Sequence, residues 1–182
     1  MTANNPICGN LQVPCIEGPN DPLSEVTLQA IMASGPLTIA IRGLSGVADL
    51  QQVTSRLAVQ EALMNMPDGY TKLWAVMGET PASIRSMTVA WPLLSRLSAL
   101  VFSPARMLSD LKCASDTALE DWPDTLRMGR NLTVLMASEL KIPAYEWIAA
   151  EDDHRKAKAL ALRDGFSDVV TLKSPINRLE GV

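Results

Sequence analysis

The chain has 182 residues, 47% of them apolar and only 4% aromatic, so it can bury a sizeable core, and that core must be aliphatic. A balance of 16 basic to 20 acidic residues leaves a net charge of −4, which excludes a direct nucleic-acid binder that works by neutralising phosphates. Three cysteines, Cys8, Cys15 and Cys113, do not make a disulfide-built scaffold, and with His154 as the one histidine they do not complete a zinc site either.

Residues 1–20 are rich in Asn, Pro and Gly without a hydrophobic period, and they read as an irregular N-terminal arm on a single α/β domain spanning 21–182. They lack the basic and apolar regions of a signal peptide, which with reduced thiols points to a cytoplasmic protein. Asp21-Pro22 starts a helix that Gly35-Pro36 stops near Ser34. Leu37-Thr-Ile-Ala-Ile-Arg42 is short, β-branched and almost continuously apolar, as a strand covered on both faces must be. Gly43-Leu-Ser-Gly46 turns the chain into a helix over 47–66, carried by Leu50, Val53, Leu57 and Met64. Pro67-Asp-Gly69 is a turn, and Tyr70 to Met77 is a second strand.

Thr80 caps the next helix with Pro81 at its first position, and this helix is expected to run to about Leu97 with a kink at Pro92. Ala99 to Ser103 is a third strand ended by Pro104. Residues 105–123 read as one helical turn and a long loop in which Trp122 packs or covers a pocket. Asp124 caps a helix with Leu132, Leu135, Met136 and Leu140 on one stripe, and Pro143 ends it. Ala144 to Ala149 is a fourth strand. Glu151-Asp-Asp153 begins a helix reaching Asp164, with Gly165 after it, and Asp168 to Leu172 is a fifth strand. The apolar stretch 87–108 is interrupted by two prolines and two arginines, so it reads as a buried helix–strand pair and not as a membrane span.

Alternating strands and helices predict a mostly parallel sheet. The expected form is a flavodoxin-like, Rossmannoid three-layer sandwich with five strands in the order 2-1-3-4-5. Ligands of such sheets bind at the carboxyl ends of the strands. Arg42, Gly43 and Ser45 are delivered there by the first strand, Gly78 and Glu79 by the second, and Ser103 and Arg106 by the third. The helix start near Arg127, Gly129, Arg130 and Asn131 is placed at the same crevice, and the fourth strand adds Glu151 and Asp152. Plainer readings stand beside these. Gly43 and Gly46 can serve only a turn, and Glu151 to Asp153 suit the positive end of a helix, with His154 exposed on it. There is no GxGxxG, phosphate loop, GxSxG, HExxH or CxxC, so no cofactor is implied.

Over residues 37–149 the chain resembles the nucleoside 2-deoxyribosyltransferase-like superfamily, including its small phage and bacterial relatives. The resemblance rests on Ile41-Arg-Gly-Leu-Ser-Gly46, on Ser98-Ala-Leu-Val-Phe-Ser-Pro104, and on a helix that opens Arg127-Met-Gly-Arg-Asn-Leu-Thr133 and closes Leu140-Lys-Ile-Pro-Ala-Tyr145. It implies a nucleoside- or nucleotide-type pocket and a homo-oligomer. The family's nucleophilic glutamate falls at Thr133, a poor nucleophile without an adjacent base. Glu139 lies about 9 Å further along the helix and on another face. The resemblance therefore implies a small-ligand binding protein that has lost the usual nucleophile, with Arg42, Gly43, Ser45, Ser103, Arg106, Gly129, Arg130, Asn131 and Thr133 around the ligand. Two alternatives are carried. One is an N-glycosyl hydrolase or transferase using Glu79 or Glu151 as a relocated carboxylate. The other is a phage-type assembly or inhibitor protein that uses the fold as a scaffold for a protein partner.

Overall fold

The computed structural model describes residues 12–18, 38–113, 118–149 and 153–173. Its strands are β1 (Gln12–Glu17), β2 (Thr38–Arg42), β3 (Lys72–Met77), β4 (Leu97–Phe102), β5 (Ala144–Trp147) and β6 (Asp168–Lys173). Its helices are α1 (Val47–Leu63), α2 (Pro81–Ser86), α3 (Ala105–Asp110), α4 (Asp124–Leu140) and α5 (His154–Arg163), with a 3-10 turn at Leu119–Asp121. The expected helix over 22–34, Glu151, Asp152 and the tail after Lys173 lie outside the described residues. No helix of the described residues is long and apolar enough to cross a membrane.

All six strands are parallel, and each pairs with its neighbours in chain order. The ring closes where β6 meets β1, with Val13 opposite Leu172. The protein is therefore an α/β fold with a parallel sheet, but it is a closed barrel and not an open flavodoxin-like sandwich. The sheet has six strands in the order 1-2-3-4-5-6, which replaces five in the order 2-1-3-4-5. The physical reason is the direction of the crossovers. In a doubly wound sheet the order reverses once and helices cover both faces. Here no reversal occurs, so successive strands curl round until the first and last meet.

The sixth strand comes from the stretch expected to be an irregular arm. Residues 12–17 are integral to the sheet, so the domain does not begin at residue 21. Pro14 disguises this strand, because a proline interrupts the apolar pattern and removes a ladder donor.

Closure divides the core in two. Val13, Cys15, Ala40, Trp74, Val76, Ala99, Val101 and Val170 form the buried cluster inside the barrel, with Tyr145 and Trp147 packed on it. Trp74 and Tyr145 stack at 4.6 Å between ring centroids. Trp74 stands opposite Ala40 on β2 and Ala99 on β4, so a large ring meets small side chains inside the narrow barrel. The alternate residues, such as Ile39, Ile41, Leu73, Met77, Leu100 and Phe102, face outward and pack with the helices in a second cluster.

The helices mostly follow their sequence signals. Thr80 caps α2 by accepting a hydrogen bond from the Ser83 amide at 3.0 Å, while the Ser83 hydroxyl accepts from the Thr80 amide. This helix ends at Ser86, well short of Leu97. The Trp91 indole donates to the Ser86 carbonyl at 3.0 Å, satisfying one of the acceptors a helix end leaves open. At the amino-terminal end of the barrel, Glu61 is fully buried and accepts from the Thr71 amide at 2.8 Å, the Gly69 amide at 3.0 Å and Arg96 Nη1 at 2.7 Å. Arg96 also pairs with Asp68. Burial alone would raise the Glu61 carboxyl, but the hydrogen bonds from Arg96 and Thr71 outweigh it and hold it below the usual carboxylate range.

Candidate functional site

At the carboxyl end of the barrel, three strands deliver charged side chains to one place. Glu17 ends β1, Arg42 ends β2 and Glu79 follows β3. Arg42 Nε donates to Glu79 Oε1 at 2.8 Å, and Nη2 reaches the same oxygen. The Gly43 amide donates to Glu79 Oε2 at 2.9 Å. Both oxygens of Glu79 are thus engaged, and its side chain is only 1% exposed. Burial works against the Arg42 charge, but the hydrogen bonds it donates to Glu79 outweigh it and hold the guanidinium more firmly protonated than usual. Arg42 keeps 25% of its side chain exposed, and its Nη1 lies 3.4 Å from Glu17 Oε1.

A second arginine comes from the other side of the ring. Arg106, in the first turn of α3, follows β4, which is three strands away from β1 in a six-stranded barrel. Its Nη2 donates to Glu17 Oε2 at 2.7 Å, so the pair spans the mouth. Gly43 makes room for this. Its φ is +67°, and a Cβ there would lie 3.4 Å from Arg106 Nη1. Gly78 has an equally local reason. Its φ is +87°, and a Cβ would sit 2.4 Å from the Phe102 ring, so only glycine lets the chain leave β3 toward Glu79.

The expected site residues therefore divide. Arg42, Gly43, Glu79 and Arg106 come together at the barrel mouth. Ser103 is buried at the end of β4, where its amide donates to the Met77 carbonyl at 2.8 Å. Ser45 is exposed, with its amide bound to Asp49 Oδ2 at 2.6 Å. Glu151 lies outside the described residues.

The α4 residues do not join this cluster. Gly129 faces the Ile84 side chain and the outward-pointing Phe102 ring. Thr133 is fully buried and donates to the Gly129 carbonyl at 2.9 Å, with Met87 Sδ at 3.4 Å. Arg130 is held by Glu146 at 2.6 Å and Asp164 at 2.6 Å, with the Phe166 ring 4.8 Å from its guanidinium carbon. Asn131 is exposed and, with Glu120, Arg127, Arg130, Arg163 and Asp164, lines a groove of about 450 Å³. The expected convergence of this helix with Arg42 fails because the strand wall stands between them: Phe102 and Glu146 turn outward to meet α4, and the mouth opens on the other side of that wall.

Glu17 is the residue that sequence reasoning missed, and Cys15, named there only as a thiol, stands two positions before it. Both sit in the strand that looked irregular, and the only signal was the apolar spacing of Val13, Cys15 and Ile16 around Pro14. Burial pushes the Cys15 thiol up to about 12, only partly relieved by the nearby Arg42 charge, so it is a neutral packing group at pH 7 and not a thiolate nucleophile. Among the described residues no group of three His, Cys, Asp or Glu side chains is arranged to hold a metal ion.

These features define the class: a parallel β/α barrel with an ion-paired arginine cluster at the carboxyl end of its strands. No known family model matches the sequence, and no curated protein matches it. Solved structures do share the fold. A citrate lyase from Burkholderia xenovorans LB400 superimposes with a TM-score of 0.67 at 13% identity, over 89% of this chain and 53% of the lyase chain. Haloferax volcanii malate synthase, in a magnesium/glyoxylate complex, gives 0.64 at 15% identity over 96% of this chain and 57% of the synthase chain. RipC from Yersinia pestis gives 0.61 at 22% identity over 90% and 71%. The chain spans about half the length of the malate synthase and citrate lyase chains that it matches. Likeness at these identities establishes a common fold and nothing more.

Proposed function

We propose that the mouth of the barrel binds a small carboxylate, anchored by Arg42. The observation that carries this reading is the posture of Arg42. Glu79 takes its Nε and Nη2 edge and fixes the plane of the guanidinium, while Nη1 lies 3.4 Å from Glu17 Oε1 and makes no hydrogen bond among the described residues. A fixed planar cation suits a carboxylate better than a mobile ammonium does. The location supports it as well, since β/α barrels bind their ligands at the carboxyl ends of the strands. The neighbours add an associational reason: the malate synthase structures include complexes with glyoxylate and with pyruvate and acetyl-CoA.

In this role Glu79 is a positioning residue for Arg42. The nucleoside-type ligand suggested by the sequence resemblance is the competing reading, and one experiment separates the two. Purified protein is titrated calorimetrically with glyoxylate, pyruvate, lactate, deoxynucleosides and nucleotides. The carboxylates are expected to bind, and Arg42→Lys is expected to weaken them at least about tenfold, since lysine keeps the charge and loses the fork. Binding confined to nucleosides or nucleotides would replace the carboxylate reading with the other one. Release of free base from a deoxynucleoside would favour the hydrolase alternative.

A further inference from the structure

Glu17 is the odd group at this mouth. A site meant only to attract an anion gains nothing from a carboxylate placed between its two arginines, because like charge repels the ligand. Yet Glu17 stands there, with Oε2 at 2.7 Å from Arg106 Nη2 and Oε1 at 3.4 Å from Arg42 Nη1. Its side chain is 31% exposed at the mouth. An ionised carboxylate only accepts hydrogen bonds and has about four lone-pair positions. Among the described residues, the two arginines take only part of that capacity.

We propose that Glu17 is a specificity-determining residue, selecting carboxylates that carry a hydrogen-bond donor, a hydroxyl or an ammonium, on the carbon next to the carboxyl group. This rests on the carboxylate reading of the mouth. The ligand carboxylate pairs with Arg42 and Arg106, and the adjacent hydroxyl or ammonium donates to Glu17. The local charges match such a ligand: Arg42 and Arg106 against Glu17 and Glu79 sum to zero, which suits a zwitterion or a hydroxy acid more than a dianion. A 2-oxo acid offers Glu17 only another acceptor, and an unsubstituted acid offers nothing. In both cases Glu17 loses hydration without gaining a partner, and sites built around such a hydrogen bond discriminate strongly against ligands that lack it.

The test is a series of four three-carbon acids differing at one carbon: lactate, alanine, pyruvate and propionate. Each is titrated calorimetrically into the wild-type protein, Glu17→Gln and Arg42→Lys. In the wild type, lactate or alanine is expected to bind about tenfold more tightly than propionate and pyruvate. Glu17→Gln is expected to bring pyruvate to within about threefold of lactate, because an amide can donate as well as accept. Pyruvate or propionate binding the wild type as tightly as lactate and alanine overturns the proposal, and the wild-type series gives that answer even if the variant does not fold. An unchanged preference in folded Glu17→Gln overturns it too. If all four acids bind equally and Arg42→Lys weakens them all, only the role of Glu17 falls. If none binds, the carboxylate reading falls and takes this proposal with it.

Discussion

Arg42 and Arg130 are both clamped by carboxylates, and exposure separates their roles. Arg42 keeps a quarter of its side chain open at the barrel mouth, whereas Arg130 is 4% exposed, wedged between Glu146, Asp164 and the Phe166 ring. Arg130 is thus part of a buried ion-pair network, and removing one partner of such a pair is costly because the remaining charge stays unpaired. Its partner Asp164 also makes acid sensitivity testable. The hydrogen bond from Arg163, opposed by partial burial and reinforced by Arg130, lowers the Asp164 carboxyl from the usual 3.8 to about 2. A pKa lowered by folding stabilises the native state fully above the unfolded value, and the gain is lost as pH falls through the folded one. The window is thus pH 3.8 down to about 2. Wild-type protein is expected to lose on the order of 1–2 kcal/mol across that window that Asp164→Asn does not lose, discounted because Arg163 is largely exposed. Urea midpoints at a series of pH values measure the difference.

At the scale of the element, the ends of the strands matter more than their middles. β3 leaves the barrel through Gly78, whose positive φ and contact with Phe102 leave no room for a side chain. Gly78→Ala is expected to cost at least about 2 kcal/mol, through backbone strain and displacement of the Phe102 ring. It should also weaken any carboxylate binding, because Glu79 follows directly and its shift would release Arg42. Equilibrium unfolding together with calorimetry reads both effects; a variant as stable as the wild type would show that the turn can relax. The α4 helix illustrates a different limit. Its apolar stripe and approximate extent were plain from the period and from Pro143, although Asp124 is its first helical residue and Pro123, not Asp124, stands at the cap. Which side of the strand wall it lies on was not, because one apolar stripe packs equally well on either face of a parallel sheet.

For the whole molecule, closure is the decisive property. A parallel ring has no free edge, whereas an opened one exposes unpaired backbone groups on two strands. Deleting residues 1–17 removes β1 and leaves β2 and β6 without their shared neighbour. The truncated chain is expected to aggregate or to unfold without a sharp transition, which size-exclusion chromatography and thermal melts followed by circular dichroism would show. A monodisperse, cooperatively melting truncation would mean that β1 is dispensable. The same deletion removes Glu17, so the mouth and the closure of the barrel depend on one strand.

The local units were legible in the residues alone. Thr38–Arg42, Lys72–Met77 and Asp168–Lys173 are short, largely β-branched or aliphatic runs between helical periods, and that spacing dictates parallel strands joined by crossovers. Arg42, Glu79 and Arg106 were findable for the same reason, since the carboxyl end of a parallel strand is where such folds present side chains. What the chain could not announce locally was what its strands' second face would meet. A strand apolar on both sides is equally content between two helical layers or between helices and the inside of a barrel, because hydrophobic burial has no direction. That choice was made by β1 pairing with both β2 and β6, contacts between residues far apart in sequence. It decided that Trp74 and Tyr145 look inward, that Arg130 and Thr133 lie behind the wall, and that Glu17 stands between Arg42 and Arg106.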